Sequence, residues 1–363
     1  MPAIDGLFDD LVKRGGSDLH LAVNQPPLAR VRGEIVTLRD SPINSKELED
    51  MLLELVTPAQ RARLAADLDL DLSVAYKDLA RFRASYYVKH SGIAAAFRLV
   101  PARVPSLAEL GCPEVLWRLV SERRSGLLLV AGPASNGKTT TAAAMIDHIN
   151  KTRACHVLTL ESPIEFVHES QRAQISQREI GAHAPTLGAA LSCAARENPD
   201  VVFISELSSA EDIEHALRLA SDGMLVLSTF QASGAAATLD RLVTAFPPDA
   251  HPRIRGLLAD CIAGVVVQHL VRSADAKGRV AVHELLVSNA AIASLVREGK
   301  TGSLADALRS GAAQGMQTLD AGLERLLGAG KISPEAAFER AIDKEAFARV
   351  VARVKPDLVD APS

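Results

Sequence analysis

The residues with the clearest chemistry are Gly132-Pro133-Ala134-Ser135-Asn136-Gly137-Lys138-Thr139, with Thr140 following. A glycine, four residues, then glycine, lysine and a hydroxyl residue is the spacing of a phosphate-binding loop. Gly132 and Gly137 let backbone N–H groups curl around phosphate oxygens without side-chain obstruction. A helix opening at the end of the loop, through Thr139 and Thr140, adds the partial positive charge of its free N–H groups. Lys138 has the reach for the β- and γ-phosphates of ATP, and the Thr139 hydroxyl is placed to ligate Mg²⁺. The interior from 133 to 136 has no glycine, so Asn136 is the residue expected to supply a left-handed conformation there.

Binding is not hydrolysis, which also requires a group that positions water and assists the metal. The run Val201-Val202-Phe203-Ile204-Ser205 ends in Glu206, and Val157-Leu158-Thr159-Leu160 ends in Glu161. A carboxylate that terminates a buried apolar strand is costly unless it has a partner or a task, and the strand ends of open α/β sheets gather ligands. Glu206 is the candidate for polarising the attacking water, directly or through the magnesium shell. Glu161 is a second group that could orient water or Mg²⁺, and Glu165 is assigned to the fold. Arg81, Arg83 and Arg98 lie on strand-like segments, with Arg81 and Arg83 on one face. One use for that face is to bring positive charge to a γ-phosphate; in ring ATPases such arginines usually come from the neighbouring subunit, and both cis and trans action stay open here.

These residues need elements to hold them. Gly126 to Ala131 predicts a buried strand before the loop, and Thr139 to Ile149 predicts an alanine-rich helix after it. Val157 to Leu160, Val201 to Ser205 and Met224 to Thr229 predict further strands with helices between them, hence an α/β domain with a largely parallel sheet. Ahead of it, Leu28 to Val31 and Glu34 to Leu38 predict a hairpin hinged at Gly33. Ser45 to Thr57 predicts a helix stopped by Pro58. Ala80 to Tyr87 and Gly92 to Leu99 predict two more strands. Pro101 to Pro105 is the expected linker, and beyond about Ser288 only helical periodicity remains.

Composition bounds the class. The 363 residues suit two or three domains. With 48% apolar and 23% charged residues, the chain can build a core in each and is not a disordered polymer. Forty basic against 44 acidic residues give a net charge of -4, which argues against nucleic-acid binding as the main task. Cys112, Cys155, Cys193 and Cys261 are too far apart to form a zinc knuckle. The absence of a long apolar run or a signal-peptide pattern predicts a cytoplasmic protein without a transmembrane segment.

Several stretches together resemble the type IV pilus retraction (twitching motility) ATPases of the secretion ATPase superfamily, over about residues 5 to 345. They include Gly16-Ser17-Asp18-Leu19-His20, Ala80-Arg81-Phe82-Arg83, Phe97-Arg98-Leu99-Val100-Pro101, Glu161-Ser162-Pro163-Ile164-Glu165, Arg196-Glu197-Asn198-Pro199-Asp200 and Ala291 to Glu298. The resemblance implies a PAS-like α+β domain over 1–101, a RecA-like P-loop ATPase core over 102–287 and a helical C-terminal region over 288–363. It implies a homo-hexamer that uses ATP and Mg²⁺ at the cytoplasmic, inner-membrane base of a pilus machine, beside a platform protein. In the same terms Glu206 is the catalytic glutamate, Glu161 belongs to an acidic box, and Arg81, Arg83 and Arg98 match basic residues able to act across a subunit boundary.

The departures from that family pattern together strip charge from several supports around the nucleotide. Ser162 stands where an aspartate is usual, Ser208 and Ser209 replace an arginine and an aspartate, and Ala293 replaces an arginine. Gln231 replaces a histidine; it can hydrogen-bond to phosphate or water but cannot carry a proton near neutral pH. The expectation is therefore ATP binding with slowed or partner-dependent turnover. The alternative is an accessory paralogue with little intrinsic ATPase activity, joined in a mixed assembly to another pilus motor.

Overall fold

The computed structural model describes residues 3–31, 33–77, 80–101, 103–276 and 278–354. Two compact units emerge: Met1–Val104 with Ser162–Val167, and Pro105–Glu161 with His168–Ser363.

The first unit contains α1 (Asp5–Lys13), β1 (Gly16–Ala22), β2 (Leu28–Val31), β3 (Glu34–Thr37), α2 (Ser45–Leu53), α3 (Pro58–Asp67), β4 (Asp69–Tyr76), β5 (Ala80–Lys89) and β6 (Gly92–Pro101). Its six strands form one antiparallel sheet in the order β3-β2-β1-β6-β5-β4. Strict alternation along β5 buries Ala80, Phe82, Ala84 and Tyr86 and leaves Arg81, Arg83 and Ser85 on the other face. Phe8 of α1 stacks on Phe82 with ring centroids 3.9 Å apart and meets Phe97 edge-on at 5.2 Å. Leu48 and Leu52 of α2 complete that core.

The hairpin at Gly33 forms as expected, with Gly33 at φ +93°. The helix expected over Ser45 to Thr57 is shorter, and Pro58 does not stop it. Thr57 caps the next helix through a reciprocal capping box with Gln60, and Pro58 takes the first turn of α3, where its missing N–H costs nothing. Of the expected linker, residue 102 lies outside the described residues.

The second unit runs α4 (Glu114–Glu122), β7 (Gly126–Ala131), α5 (Lys138–Thr152), β8 (His156–Glu161), β9 (Gln174–Glu179), α6 (Leu187–Ala194), β10 (Val201–Ile204), α7 (Ala210–Ser221), β11 (Leu225–Phe230), α8 (Ala235–Thr244), α9 (His251–Cys261), β12 (Ile262–Arg272) and β13 (Arg279–Val287). The helices α10 (Ala290–Glu298), α11 (Leu304–Ser310), α12 (Leu319–Gly328), α13 (Pro334–Arg340) and α14 (Lys344–Val354) follow. The sheet order is β13-β12-β7-β11-β10-β8-β9, parallel except for β13. Every residue of β7, β10 and β11 is buried, as a sheet covered on both faces demands. This is a RecA-like P-loop architecture with a helical tail; residues 355–363 of that tail lie outside the described residues. Among the described residues no helix is long and apolar enough to cross a membrane.

Candidate functional site

The loop leaves the C-terminal end of β7, held between β11 and β12. Gly132 still donates its N–H to the Phe230 carbonyl at 3.2 Å. The backbone then passes through positive φ at Gly132 (+151°), Ser135 (+59°) and Gly137 (+76°). The left-handed residue inside the loop is thus Ser135, not Asn136. Asn136 is engaged elsewhere: its Oδ1 accepts the Leu270 N–H at 2.7 Å, and its Nδ2 donates to the Ala134 carbonyl at 2.9 Å. At Gly132 a Cβ would lie 2.4 Å from the Gln268 carbonyl oxygen, so that position admits no side chain.

Gly137 caps α5, and Lys138, Thr139 and Thr140 form its first turn. The Lys138 ammonium donates to the Pro133 carbonyl at 3.0 Å, across the loop. Burial lowers its pKa, and the Glu206 carboxylate acts in the opposite direction. Lys138 and Glu206 therefore share one electrostatic neighbourhood, although 68 positions separate them in the sequence. Parallel register explains this, because Ile204 pairs with Ser228 and Leu160, and Ser228 pairs with Leu129. The ends of β7, β11, β10 and β8 lie along one sheet edge, which brings the loop, Glu206 and Glu161 to the same side. Ser228 donates to the Ile204 carbonyl at 2.7 Å and Thr229 donates to the Ser205 carbonyl, fixing the strand end from which Glu206 emerges.

Glu206 is half-buried, whereas Glu161 is buried. One oxygen of Glu161 accepts from the Thr159 hydroxyl at 2.6 Å and from the Gln177 amide at 2.9 Å. Gln231 is exposed just past β11, and its carbonyl accepts from the Arg241 guanidinium.

The three arginines lie in the first unit on the sheet face away from Phe82. Arg83 is directly opposite Arg98, and Arg98 is opposite Asp18. Each has a partner within that unit, which the sequence alone did not indicate. Arg98 Nε donates to Asp18 at 2.9 Å, and Arg81 Nε donates to the Ser73 hydroxyl at 3.2 Å. Arg83 sits 3.5 Å from Glu165 and 3.9 Å from Asp71. Burial raises the Glu165 pKa, while Arg83 and Arg98 pull it down. Burial also acts to raise that of Asp18, but hydrogen bonds from Ser17 and Arg98 outweigh it and the net shift is downward.

Sequence reading missed Gln268 of β12, which is buried against the loop and donates to the Asn136 carbonyl at 2.7 Å. It also missed Arg279, whose guanidinium donates to the Ser135 carbonyl at 3.3 Å. No local motif marks either residue; the pairing of β12 with β7 brings Gln268 to the loop, and that of β13 with β12 brings Arg279.

Comparison with known proteins agrees with this geometry. The family model described as type II/IV secretion system protein matches residues 2–332. The chain is 40% identical over 337 residues to the type IV pilus retractation ATPase PilT of Pseudomonas aeruginosa, covering 92% of this chain and 97% of that one. It is 33% identical over 331 residues to the type IV pilus ATPase PilU of the same organism, covering 91% and 86% respectively. A crystal structure of the pilus retraction motor PilT with bound ADP superimposes with a TM-score of 0.86 at 33% identity, covering 95% of this chain and 99% of that one. The chain belongs to the type II/IV secretion system protein family, as one of its P-loop ATPases.

Proposed function

We propose that this chain is the subunit of a cytoplasmic homo-hexameric motor that binds ATP with Mg²⁺ and hydrolyses it to drive type IV pilus retraction at an inner-membrane platform protein. The observation that carries the reading is the gathering of Lys138, Thr139 and Glu206 at one edge of the parallel sheet. Gly132 to Thr140 cradle the phosphates, with Lys138 on the β- and γ-phosphates. Thr139 and, through water, Glu206 would hold Mg²⁺, which supplies neutralising charge to the phosphates when bound. Glu206 polarises the attacking water. Glu161 and Gln231 lie at neighbouring strand ends and support water or phosphate by hydrogen bonds. Arg81, Arg83 and Arg98 supply positive charge across a subunit boundary. The similarity to the retraction ATPase named above supports the pilus assignment.

Residues 1–101 are read as the PAS-like domain, 102–287 as the ATPase core and 288–363 as the helical region. The antiparallel sheet with helices on one face supports the PAS-like label.

A second reading, an accessory paralogue that assists another pilus motor, is favoured by Gln231 and Ser162, where charge is missing. Steady-state ATP turnover of the assembled protein separates the two. Under the motor reading Glu206→Gln lowers kcat by about 100-fold or more, the range for loss of a general base. Wild-type turnover no higher than that of the variant sinks the motor reading and leaves the accessory one.

A further inference from the structure

We propose that Gln268 is a positioning residue of the phosphate loop, aiming the Gly137 N–H into the cradle by holding the Asn136 carbonyl out of it. The proposal rests on the reading that this loop binds nucleotide phosphate.

Gln268 is buried and has hydrogen bonds on both ends of its amide. The Thr141 hydroxyl donates to Oε1 at 2.7 Å, and the His283 ring Nε2 lies 2.9 Å from the same oxygen. Oε1 only accepts, so His283 carries its proton on Nε2. The Gln268 Nε2 is then left facing the Asn136 carbonyl, 2.7 Å away. Two donors on the oxygen thus determine which way the amide points.

His283 is itself anchored. Its backbone carbonyl accepts from the Gln317 amide at 2.7 Å, and it lies against α12 so closely that a Cβ on Gly322 would come within 3.1 Å of that carbonyl. A chain of contacts thus runs from the C-terminal helices through β13 and β12 to the loop. In a trans peptide the C=O and N–H point in opposite directions. Drawing the Asn136 C=O toward β12 therefore turns the Gly137 N–H away from β12, toward the space a phosphate would fill. The Leu270 N–H to Asn136 Oδ1 bond secures the same residue from its side chain.

Gln268→Glu isolates the decisive bond. It keeps an acceptor for Thr141 and His283 and replaces the donor with an oxygen that repels the Asn136 carbonyl. Calorimetric titration of the full chain with MgADP, together with kcat and KM for ATP, reads the effect. Kd and KM are expected to rise about 10-fold or more, the equivalent of one lost buried hydrogen bond, with kcat changed less than KM. An unchanged Kd, or a fall in kcat at constant KM, overturns the proposal. So does a lower ligand-free melting temperature with the Kd intact, the pattern of a merely structural glutamine. Lys138→Ala is measured in parallel. If it binds MgADP as wild type does, the nucleotide reading fails; if it loses binding while Gln268→Glu does not, only the positioning role fails. Should Gln268→Glu not fold, Thr141→Val decides, since it is nearly isosteric and removes one of the two donors that orient the amide. A rise in Kd of about 3-fold or more supports the role, and no rise refutes it.

Discussion

Acid should destabilise the second unit through His283, and the size of the effect follows from where that ring sits. His283 has no exposed surface, and burial, with Arg325 adding to it, pushes its pKa from 6.5 down to about 4. The unfolded chain takes up a proton at this residue below 6.5, whereas the folded chain does so only below about 4. Its contribution to stability is therefore intact at neutral pH, lost progressively as pH falls from 6.5 towards 4, and level below that. At 1.36 kcal/mol per pKa unit the complete loss is about 3 kcal/mol, of which about 2 kcal/mol falls between pH 7 and pH 5. The single tryptophan, Trp117, lies in α4 of the second unit, so its fluorescence during urea unfolding follows that unit. His283→Phe should be less stable at neutral pH because the Gln268 oxygen loses a donor. Its stability should nonetheless fall by about 2 kcal/mol less than that of wild type between pH 7 and pH 5. His168, also shifted by burial to about 4, keeps its own share of the acid sensitivity in both proteins. Deuterium exchange at the imidazole C2 position, read by mass spectrometry, gives the His283 titration directly. Equal pH slopes in the two proteins, or a His283 midpoint near 6.5, would refute the reasoning.

Arg83→Ala should lower ATP turnover of the assembled protein while circular dichroism stays that of wild type; unchanged turnover removes Arg83 from the reaction. Gly132→Ala places a Cβ 2.4 Å from the Gln268 carbonyl oxygen at a φ of +151°. Backbone strain alone should cost about 1–3 kcal/mol, seen as a lower melting temperature together with weakened MgADP binding, and an unperturbed variant would show that the loop can yield there.

The nucleotide loop was legible because its chemistry is local: an apolar strand, two glycines at a set spacing, a lysine and a helix succeed one another in the chain. Glu206 and Glu161 were legible as carboxylates ending apolar runs, and the parallel register puts both at the same end of the sheet as the loop. The features that escaped were non-local or masked. Between α9 and β12 the apolar residues Leu257, Leu258, Cys261 and Ile262 run on without a glycine or proline, so the change from helix to strand leaves no mark. With β12 unseen, Gln268 had no reason to be noticed. Pro58 was read as a stop because proline ends helices, yet Thr57 and Gln60 around it form a start signal. The arginine partners needed tertiary pairing: Asp18 and Arg98 are 80 positions apart, and Glu165 reaches Arg83 from a segment just after β8.

The same non-local support bears on how a loop with so little glycine can work. Ala134, Ser135 and Asn136 carry side chains where conformational freedom would be convenient, and Ser135 holds a left-handed backbone that glycine would adopt at less cost. Asn136 offsets this by tying the loop to β12 through both its carbonyl and its side chain. A loop held in this way has less freedom to lose when phosphate arrives, which favours binding without any added contact. Catalysis gains nothing comparable. Gln231 brings no charge to its strand end, and Arg83 is drawn toward Glu165 and Asp71, so it can serve a γ-phosphate only by leaving them. The bonds that hold the loop are thus in place without nucleotide, whereas Arg83 is already paired and Gln231 is uncharged. In such a protein the loss of Gln268 should be felt first in affinity, and the loss of Arg83 only in turnover.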